Sequence, residues 1–363
     1  MFTKELQKSQ ARFLKGDKMS EFIYEFVMRI KEGWFWPLSI ILIVTGFIML
    51  VNGADIFVTS ASRLAKYIKI PAIVVGLTLV AFGTSAPELS VSVAAAISGS
   101  SGISVGNIVG SNIFNLLLVL GISAVLKPFS IDKEVAHRDI PVMLFSSFLL
   151  LAASLLFGIN GSKSLLWFEG LVMVVLFVLY VVYMVRYEVK HTPIEVKNQM
   201  KENANEKISL PLTILLLIAS LAIIVVGGNF VNAGAKAFAV KIGVSETLAG
   251  LTICAVGTSL PELVTSVIAI RKNENDIAIG NVVGSNLFNV MLILGVCSVI
   301  TPLGIDLFSL IDIAIMVVIF IAFFIYTMLS SKVDRKAGIV MIALYVAFLT
   351  FIVLRENGYI PNY

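Results

Sequence analysis

Long apolar stretches alternate with short polar connections along almost the whole chain. Ten of these stretches are long enough to cross a hydrocarbon core, which needs about 20 apolar residues. We predict membrane helices over residues 37–57, 71–98, 103–126, 139–158, 164–185, 209–235, 245–270, 276–300, 309–329 and 337–354. These runs are too long and too evenly apolar for barrel strands. The expected fold is therefore an all-α membrane protein with ten transmembrane helices.

The composition agrees with this class of protein. Hydrophobic residues make up 58% of the chain and charged residues only 14%, so most of the chain belongs in lipid rather than around a water-soluble core. Membrane orientation accounts for the net charge of +4, which therefore indicates no nucleic-acid partner. No protein partner is indicated either. The expected surroundings are the lipid bilayer.

Polar segments divide the chain into two sets of five spans. Residues 37–185 form the first set and residues 209–354 the second, with a hydrophilic linker over 186–208 and a short C-terminal tail over 355–363. Residues 1–36 form an N-terminal tail, which is either an interfacial helix or a loosely ordered segment. The apolar residues on one face of that helix would be Phe22, Ile23, Phe26, Val27 and Ile30.

The distribution of Lys and Arg predicts the orientation of the chain in the membrane. Sixteen of them lie in the connections that follow the odd-numbered spans, including the linker, and four lie in the opposite loops and the C-terminal tail. An excess of Lys and Arg marks the cytoplasmic side. Seven basic residues in the N-terminal tail argue the other way, although five acidic residues there weaken the conflict. We expect an inner (plasma) membrane protein with a cytoplasmic linker.

One block of sequence occurs twice, 174 positions apart. The heptapeptide GTSAPEL at Gly83 returns as GTSLPEL at Gly257, and GNIVGSNIFN at Gly106 returns as GNVVGSNLFN at Gly280. Equivalent points are separated by five predicted spans. Because five is odd, the second copy enters the membrane upside down relative to the first, as in many secondary transporters. We therefore expect two inverted five-helix repeats.

Each copy places one carboxylate in the middle of an apolar stretch. Translocon scales put such a group at roughly +2.5 to +3.5 kcal/mol, and no Lys or Arg lies at mid-span to compensate Glu88 or Glu262. On a helix, hydroxyl groups three and four residues earlier face the same side as each carboxylate. These hydroxyl residues are Thr84 and Ser85 before Glu88, and Thr258 and Ser259 before Glu262.

Further oxygen donors accompany the two glutamates. Pro87 and Pro261 remove backbone donors and so release the carbonyls of Gly83 and Gly257. In the second motif, Ser111 and Asn115 are one turn apart, as are Ser285 and Asn289, while capping of a broken helix is the alternative role for Asn112 and Asn286. Because Ca²⁺ takes six to eight oxygen ligands and Na⁺ uses the same kinds, these residues predict a cation site shared by both repeats.

At these residues the chain resembles the Ca²⁺/cation antiporter superfamily, and within it the prokaryotic sodium/calcium exchangers. The resemblance extends from about Leu42 to Leu354 and implies ten helices in two inverted halves. It also implies an antiporter, not an enzyme, with Ca²⁺ and Na⁺ as substrates and no cofactor. The ligands implied by position are the carbonyls of Ala81 and Ala255 and the side chains of Thr84, Ser85, Glu88, Ser111, Asn115, Thr258, Ser259, Glu262, Ser285 and Asn289.

One departure from the family pattern concerns charge. Many relatives carry Asp where this chain has Asn289, so the site here has two carboxylates, and potassium dependence is not expected. The hydroxyls of GTSxPE favour Na⁺ as the coupling ion, because the proton-coupled branch of the superfamily reads GNxxE instead.

Three other functions remain open at this stage. An H⁺/Ca²⁺ antiporter using the same site would need a pH gradient and no sodium. A passive cation channel would conduct without a counter-ion. The duplicated closed site argues against a channel. Paired acids could also serve an intramembrane protease, but no protease motif accompanies them.

Overall fold

The computed structural model describes residues 18–30, 32–68, 70–156, 158–159, 162–191, 209–242 and 255–356. Within these ranges the protein is mostly helical, as expected. The helices are α1 Lys18–Met28, α2 Glu32–Ile68, α3 Ala72–Thr84, α4 Ala86–Ile97, α5 Ser101–Leu126, α6 Val135–Leu156, α7 Trp167–His191, α8 Leu210–Lys241, α9 Ala255–Thr258, α10 Leu260–Arg271, α11 Asn275–Ile300, α12 Leu307–Leu329 and α13 Arg335–Glu356.

Among the described residues, eight helices are long and apolar enough to cross a membrane, and α3 with α4 makes a ninth span if the bent pair counts as one. The predicted span 245–270 begins in residues outside the described ranges, so the arrangement of ten helices stays a prediction. The first span, predicted over 37–57, is too short. Helix α2 continues to Ile68 because Ala61 and Ala65 are buried against the protein.

Helix α7 also exceeds its predicted range and ends at His191. The polar linker expected over 186–208 therefore begins inside a helix. The remaining linker residues, 192–208, lie outside the described part of the chain. Hydropathy identifies the residues that suit lipid. It does not identify a polar segment that continues the same helix beyond the apolar run.

Burial separates a central layer of helices from an outer layer. Within the most apolar 18-residue stretch of each helix, 78% is buried in α5 and α11. The buried share is 22% in α2 and α7 and 17% in α13. The outer helices expose large apolar side chains such as Leu329 and Val318. An apolar surface of this extent suits lipid and not water. The helices that carry the duplicated motifs therefore lie inside the bundle.

Small residues allow α2 and α8 to pack closely. Gly46 faces Gly227, Gly53 faces Ser220 and Ile224, and Gly234 faces Ser39. Because the residue numbers rise along α2 as they fall along α8, the two helices run antiparallel. A side-chain carbon at Gly46 would lie only 2.6 Å from the carbonyl oxygen of Gly227. Close approach through small residues is a common means of helix association in membranes.

We expect the substitution Gly46→Ala to destabilise the protein. The added methyl group would collide with backbone atoms, and overpacking of this kind costs about 1–3 kcal/mol. Thermal unfolding in detergent measures the effect as a lower midpoint. Gly106→Ala is the matched control, because a side-chain carbon at Gly106 meets nothing within 4 Å. An equal loss of stability in both variants would contradict the close packing of α2 on α8.

Two small sheets join the first set of helices to the last. Strand β1 pairs antiparallel with β5 at one end of α6, and β3 pairs antiparallel with both β2 and β4 at the other end. The strands are β1 Phe129–Ser130, β2 Gly158–Ile159, β3 Ser162–Leu165, β4 Leu303–Gly304 and β5 Lys332–Val333. Connections from the two halves of the chain therefore meet at both ends of the bundle.

Helix α1 packs on the ends of α2 and α8. Tyr24 and Val27 are buried against Phe35, Ala233 and Ala237. Phe22 and Phe26, which the sequence places on the same face as Val27, are exposed instead. The apolar side chains of α1 are thus divided between the protein and its surroundings.

Candidate cation site

The two motif glutamates lie directly after breaks in two membrane helices. Helices α3 and α4 are bent by 49° at Ser85, and Ser259 separates α9 from α10 in the same way. A proline in the first turn of α4 and of α10 has no N–H, which is tolerated there because the first N–H groups of a helix have no partner within it. Glu88 and Glu262 occupy the same turns, where the positive end of the helix dipole attracts anions.

Both carboxylates are completely buried. Among the described residues, neither of them forms an ion pair. Three other acids on the membrane helices each have a basic partner: Asp55 pairs with Lys272 at 2.8 Å, Asp139 with Arg138 at 2.7 Å and Asp312 with Arg355 at 2.8 Å. Because a buried charge is costly unless it is compensated, Glu88 and Glu262 call for a cation or a proton.

Hydrogen bonds cross between the two sequence copies. Ser85 Oγ donates to Glu262 Oε1 at 3.0 Å, and Ser259 Oγ donates to Glu88 Oε1 at 2.9 Å. The serine of each motif thus holds the glutamate of the other. This exchange brings the two carboxylates into one connected polar cluster.

One side chain of the second motif contacts the same cluster. Ser111 Oγ lies 2.9 Å from Ser259 Oγ and 3.4 Å from Glu88 Oε1. One turn later, Asn115 and Asn289 lie in π-helical turns, Phe114–Val119 and Phe288–Leu294. Such turns occur frequently at functional sites because they re-aim side chains within a continuous helix.

Several polar atoms of the motif residues are buried without a hydrogen-bond partner among the described residues. They are Oε2 of Glu88 and Glu262, both amide atoms of Asn115, Oδ1 of Asn289 and Oγ of Ser285. A buried polar atom without a partner costs roughly 1–3 kcal/mol, and native proteins contain few of them. All of these atoms except Asn115 Nδ2 are oxygens, and a bound cation would satisfy those oxygens.

The remaining predicted ligands lie at the same level of the bundle. Thr84 Oγ1 is 3.2 Å from the Val80 carbonyl, and the Ala81 carbonyl accepts the Ser85 N–H at 3.0 Å. Thr258 is buried at the end of α9, and Ala255 is the first residue of that helix. The Ala81 oxygen also lies 3.4 Å from Thr84 Oγ1, so these two predicted ligands are neighbours.

The donor set favours a hard cation. In the described ranges, no group of three or more His, Cys, Asp or Glu residues is placed to hold a metal ion. The cluster consists of two carboxylates with hydroxyl and amide oxygens. Oxygen ligands suit Ca²⁺ and Na⁺, whereas zinc and copper prefer nitrogen and sulfur.

Sequence reasoning missed two asparagines that support the site. Asn281 Oδ1 lies 2.9 Å from Thr84 Oγ1, and Asn281 Nδ2 donates to Ser266 at 2.9 Å. Its counterpart Asn107 donates to Ser92 at 3.0 Å. The signal was present, since both asparagines belong to the duplicated GNxVGSN block.

Asn112 and Asn286 lie within the continuous helices α5 and α11, and not at helix ends. Asn112 Nδ2 donates to the Asn286 carbonyl at 3.2 Å, and Asn289 Nδ2 donates to Asn112 Oδ1 at 3.0 Å. The capping role considered from the sequence is therefore wrong. These bonds tie the two central helices together beside the carboxylates.

The model of the family described as sodium/calcium exchanger protein matches residues 38–186 and 212–354. Among similar proteins, the sodium/calcium exchanger MaX1 of Methanosarcina acetivorans is 35% identical over 347 residues, covering 86% of this chain and 97% of that protein. The inner membrane protein YrbG of Escherichia coli is 37% identical over 273 residues, which covers 74% of this chain and 82% of that protein.

Solved structures of the sodium-calcium exchanger NCX_Mj are similar to this fold. One of them, soaked with Na⁺ and Ca²⁺, superposes with a TM-score of 0.73 at 30% sequence identity. The match covers 86% of this chain and 98% of that chain. Both motif-bearing halves of the present chain fall within the region covered by the family model.

Proposed function

This chain belongs to the sodium/calcium exchanger protein family, and on that premise we propose that it exchanges Na⁺ for Ca²⁺ by alternating access at one site formed by both sequence copies. The family consists of multi-pass membrane transporters that exchange Na⁺ and Ca²⁺ and not of enzymes. The proposal assigns the coupling ion and the residues of the site.

The crossed hydrogen bonds between serine and glutamate carry this proposal. Ser85 with Glu262, and Ser259 with Glu88, place two buried carboxylates in one cluster, and no basic residue of the described ranges forms an ion pair with either. Ser111 Oγ contacts this cluster, and the uncharged oxygens of Ser285, Asn115 and Asn289 are buried in the same duplicated block. In our proposal these side chains, with Thr84, Thr258 and the carbonyls of Ala81 and Ala255, are the ion ligands. No resident cofactor takes part.

Charge balance explains why the two ions would compete. Two ionised carboxylates give the site a charge of −2, which one Ca²⁺ or two Na⁺ neutralises. Because an uncompensated buried charge is costly, the site would release one kind of ion only as it binds the other. Coupled exchange would follow from this competition, whereas a channel would need neither the closed cluster nor a counter-ion.

Inverted repeats would provide alternating access. We infer ten transmembrane helices in two inverted five-helix repeats, with the site near the midplane where the repeats meet. The antiparallel pair α2 and α8, which occupies equivalent positions in the two repeats and packs through glycines, would move against the motif helices. Such a movement would open each half of the site in turn.

The basic residues support one orientation of the chain. Strands β1 and β5 lie in two connections that are expected on the cytoplasmic side. The two strands pair with each other, so these connections lie at the same end of the bundle. We propose that the linker 186–208 is cytoplasmic and that both termini lie outside the cell. Ca²⁺ would then leave the cell as Na⁺ enters, driven by about 2.3 kcal/mol per charge for each 100 mV of membrane potential.

Uptake of ⁴⁵Ca²⁺ into proteoliposomes tests the coupling ion. Vesicles loaded with Na⁺ and diluted into Na⁺-free medium should take up Ca²⁺, while K⁺-loaded vesicles at the same clamped potential should not. Vesicles with a pH gradient but no sodium form the third arm, because two protons could also neutralise the buried carboxylates. Uptake driven by that gradient alone would replace the proposal by H⁺/Ca²⁺ exchange. No uptake under any gradient would contradict both.

A further inference from the structure

Two asparagines interrupt the apolar face of α8 outside the duplicated motifs. Asn229 and Asn232 are spaced i and i+3, so their side chains lie on the same side of the helix. Their exposed fractions are only 8% and 5%. At the repeat offset of 174 residues they align with Asp55 and Val58, so the pair has no equivalent in the first half of the chain.

A small cavity separates these asparagines from the break between α9 and α10. Its described lining includes Gly228, Asn229, Asn232, Gly257, Thr258 and Pro261. The cavity has a volume of about 10 Å³, close to the smallest that holds one water molecule. The cavity therefore adjoins the ligand Thr258 from the side of α8.

Two oxygens at this cavity lack their usual partners. Asn232 Oδ1 is buried and accepts no hydrogen bond from the described part of the chain. Its side chain contacts Gly257, since a side-chain carbon at Gly257 would lie 3.0 Å from Asn232 Oδ1. The Gly257 carbonyl has no α-helical donor four residues later, because that residue is Pro261. Both atoms are acceptors with capacity for a cation.

The equivalent place in the first repeat is apolar. Gly83, the counterpart of Gly257, is covered by Leu221 at 3.1 Å and by the ring of Phe57 at 3.4 Å from a side-chain carbon built on it. Asp55 turns instead to Lys272, with which it forms an ion pair. The polar lining beside Gly257 therefore has no counterpart beside Gly83.

We propose that Asn232, with Asn229 and the Gly257 carbonyl, forms an ancillary position for one Na⁺ between α8 and the Glu88/Glu262 site. All described residues that line the cavity are uncharged, and the cavity is large enough for one small ion. A divalent ion needs carboxylates to offset its dehydration, whereas neutral oxygens suffice for a monovalent one. This inference rests on the proposed exchange. Because Asn229 and Asn232 lie closer to Lys241 than to Leu210 along α8, it also assigns to Na⁺ a preferred approach from the side where α8 ends at Lys241.

Sided kinetics of the full-length protein test this position. Ca²⁺-loaded proteoliposomes, with protein orientation determined from the accessibility of a terminal tag, release Ca²⁺ as Na⁺ is added to one side. We expect Asn232→Val, which introduces the residue found at the aligned Val58, to raise the KM for Na⁺ about fivefold on the side of Lys241. The KM for Na⁺ on the opposite side and the KM for Ca²⁺ should change less than twofold.

Two further variants separate ion binding from packing. Asn232→Asp keeps the size and the oxygen of the side chain, so it should retain transport with a KM for Na⁺ at or below that of the wild type. Asn52→Val makes the same change as the test variant on the exposed face of α2, where Asn52 donates to the Ile48 carbonyl, and it should leave all constants unchanged.

A KM for Na⁺ that stays constant in Asn232→Val, or that rises equally on both sides, would overturn the ancillary position. Loss of transport in both Asn232 variants would also overturn it, since the residue would then serve only the fold. A second readout is the rise in unfolding temperature with Na⁺ in the double variant Glu88→Gln/Glu262→Gln. A residual rise that disappears with Asn232→Val supports the position even if the wild type shows no Na⁺-driven exchange, an outcome that would contradict the proposed function alone.

Discussion

Replacement of either buried glutamate by glutamine should abolish Ca²⁺ transport. Glu88→Gln and Glu262→Gln each remove half of the site's charge while they keep the shape of the side chain. Loss of one partner from a buried charge interaction costs about 3–5 kcal/mol, which corresponds to roughly a 100- to 4,000-fold loss of Ca²⁺ affinity. Initial rates of Na⁺-driven ⁴⁵Ca²⁺ uptake at a fixed Ca²⁺ concentration measure the effect.

A stability measurement separates loss of the site from loss of the fold. In the absence of ions, both variants should unfold at or above the wild-type temperature, because an uncompensated buried charge has been removed. Ca²⁺ should raise the unfolding temperature of the wild type but not of either variant. Glu169→Gln is the matched control: Glu169 is also nearly buried in a membrane helix, but it accepts the Leu166 N–H at 2.7 Å. It should retain Na⁺-driven uptake. Rapid uptake by either site variant would contradict the assignment of Glu88 and Glu262 as ion ligands.

The fold class could be predicted because a membrane helix appears in the sequence as an apolar run of matching length. An apolar run of about 20 residues has one stable form in lipid, so hydropathy located most of the spans. The ends of the helices could not be predicted in the same way. Helix α2 runs on to Ile68 through Arg63 and Lys66, with Ala61 and Ala65 buried on one face, and hydropathy does not detect a helical segment that is only partly apolar.

The candidate site could be predicted from duplication and helical spacing together. Two carboxylates at matching positions, without basic residues nearby, already indicated a cation. The spacing showed that Ser85 and Glu88 share one side of a helix, but it could not show that Ser85 meets the glutamate of the other copy. Contacts between copies depend on how the repeats pack, which no periodicity records.

Identical residues of the duplicated motif also have different hydrogen-bond partners in the two copies. Asn289 donates to Asn112, whereas neither amide atom of its counterpart Asn115 has a partner. Asn281 and Asn107 each donate to a serine of their own copy, Ser266 and Ser92, and Asn281 also lies beside Thr84 of the other copy. The two half-sites are therefore not equivalent, and substitutions at matched positions should have unequal effects.

The change Asn289→Asp should alter the ion requirement of transport. A third carboxylate would bring the site to a charge of −3, so one Ca²⁺ would leave a charge of −1 that a monovalent cation could neutralise. The attraction between unit charges is about 4 kcal/mol at 4 Å in a medium of effective dielectric constant near 20, and desolvation of the new carboxylate offsets part of it. We expect Ca²⁺ uptake by Asn289→Asp to rise about tenfold when K⁺ accompanies Ca²⁺, whereas the wild type should be indifferent to K⁺.

The position of Asn289 makes this test specific. Its Oδ1 is buried without a partner, so the new charge would enter the cluster of unpaired oxygens, while the lost amide donor would leave Asn112 Oδ1 unsatisfied. Asn115→Asp, at the equivalent place, adds the same charge without breaking a hydrogen bond and should change the ion requirement at a smaller cost in stability. Asn107→Asp, which lies beside Ser92 outside the proposed ligands, should leave the K⁺ response unchanged. Unaltered Na⁺, K⁺ and Ca²⁺ dependence in Asn289→Asp would place residue 289 outside the ion site, because no buried charge added within coordination distance leaves ion binding unaffected.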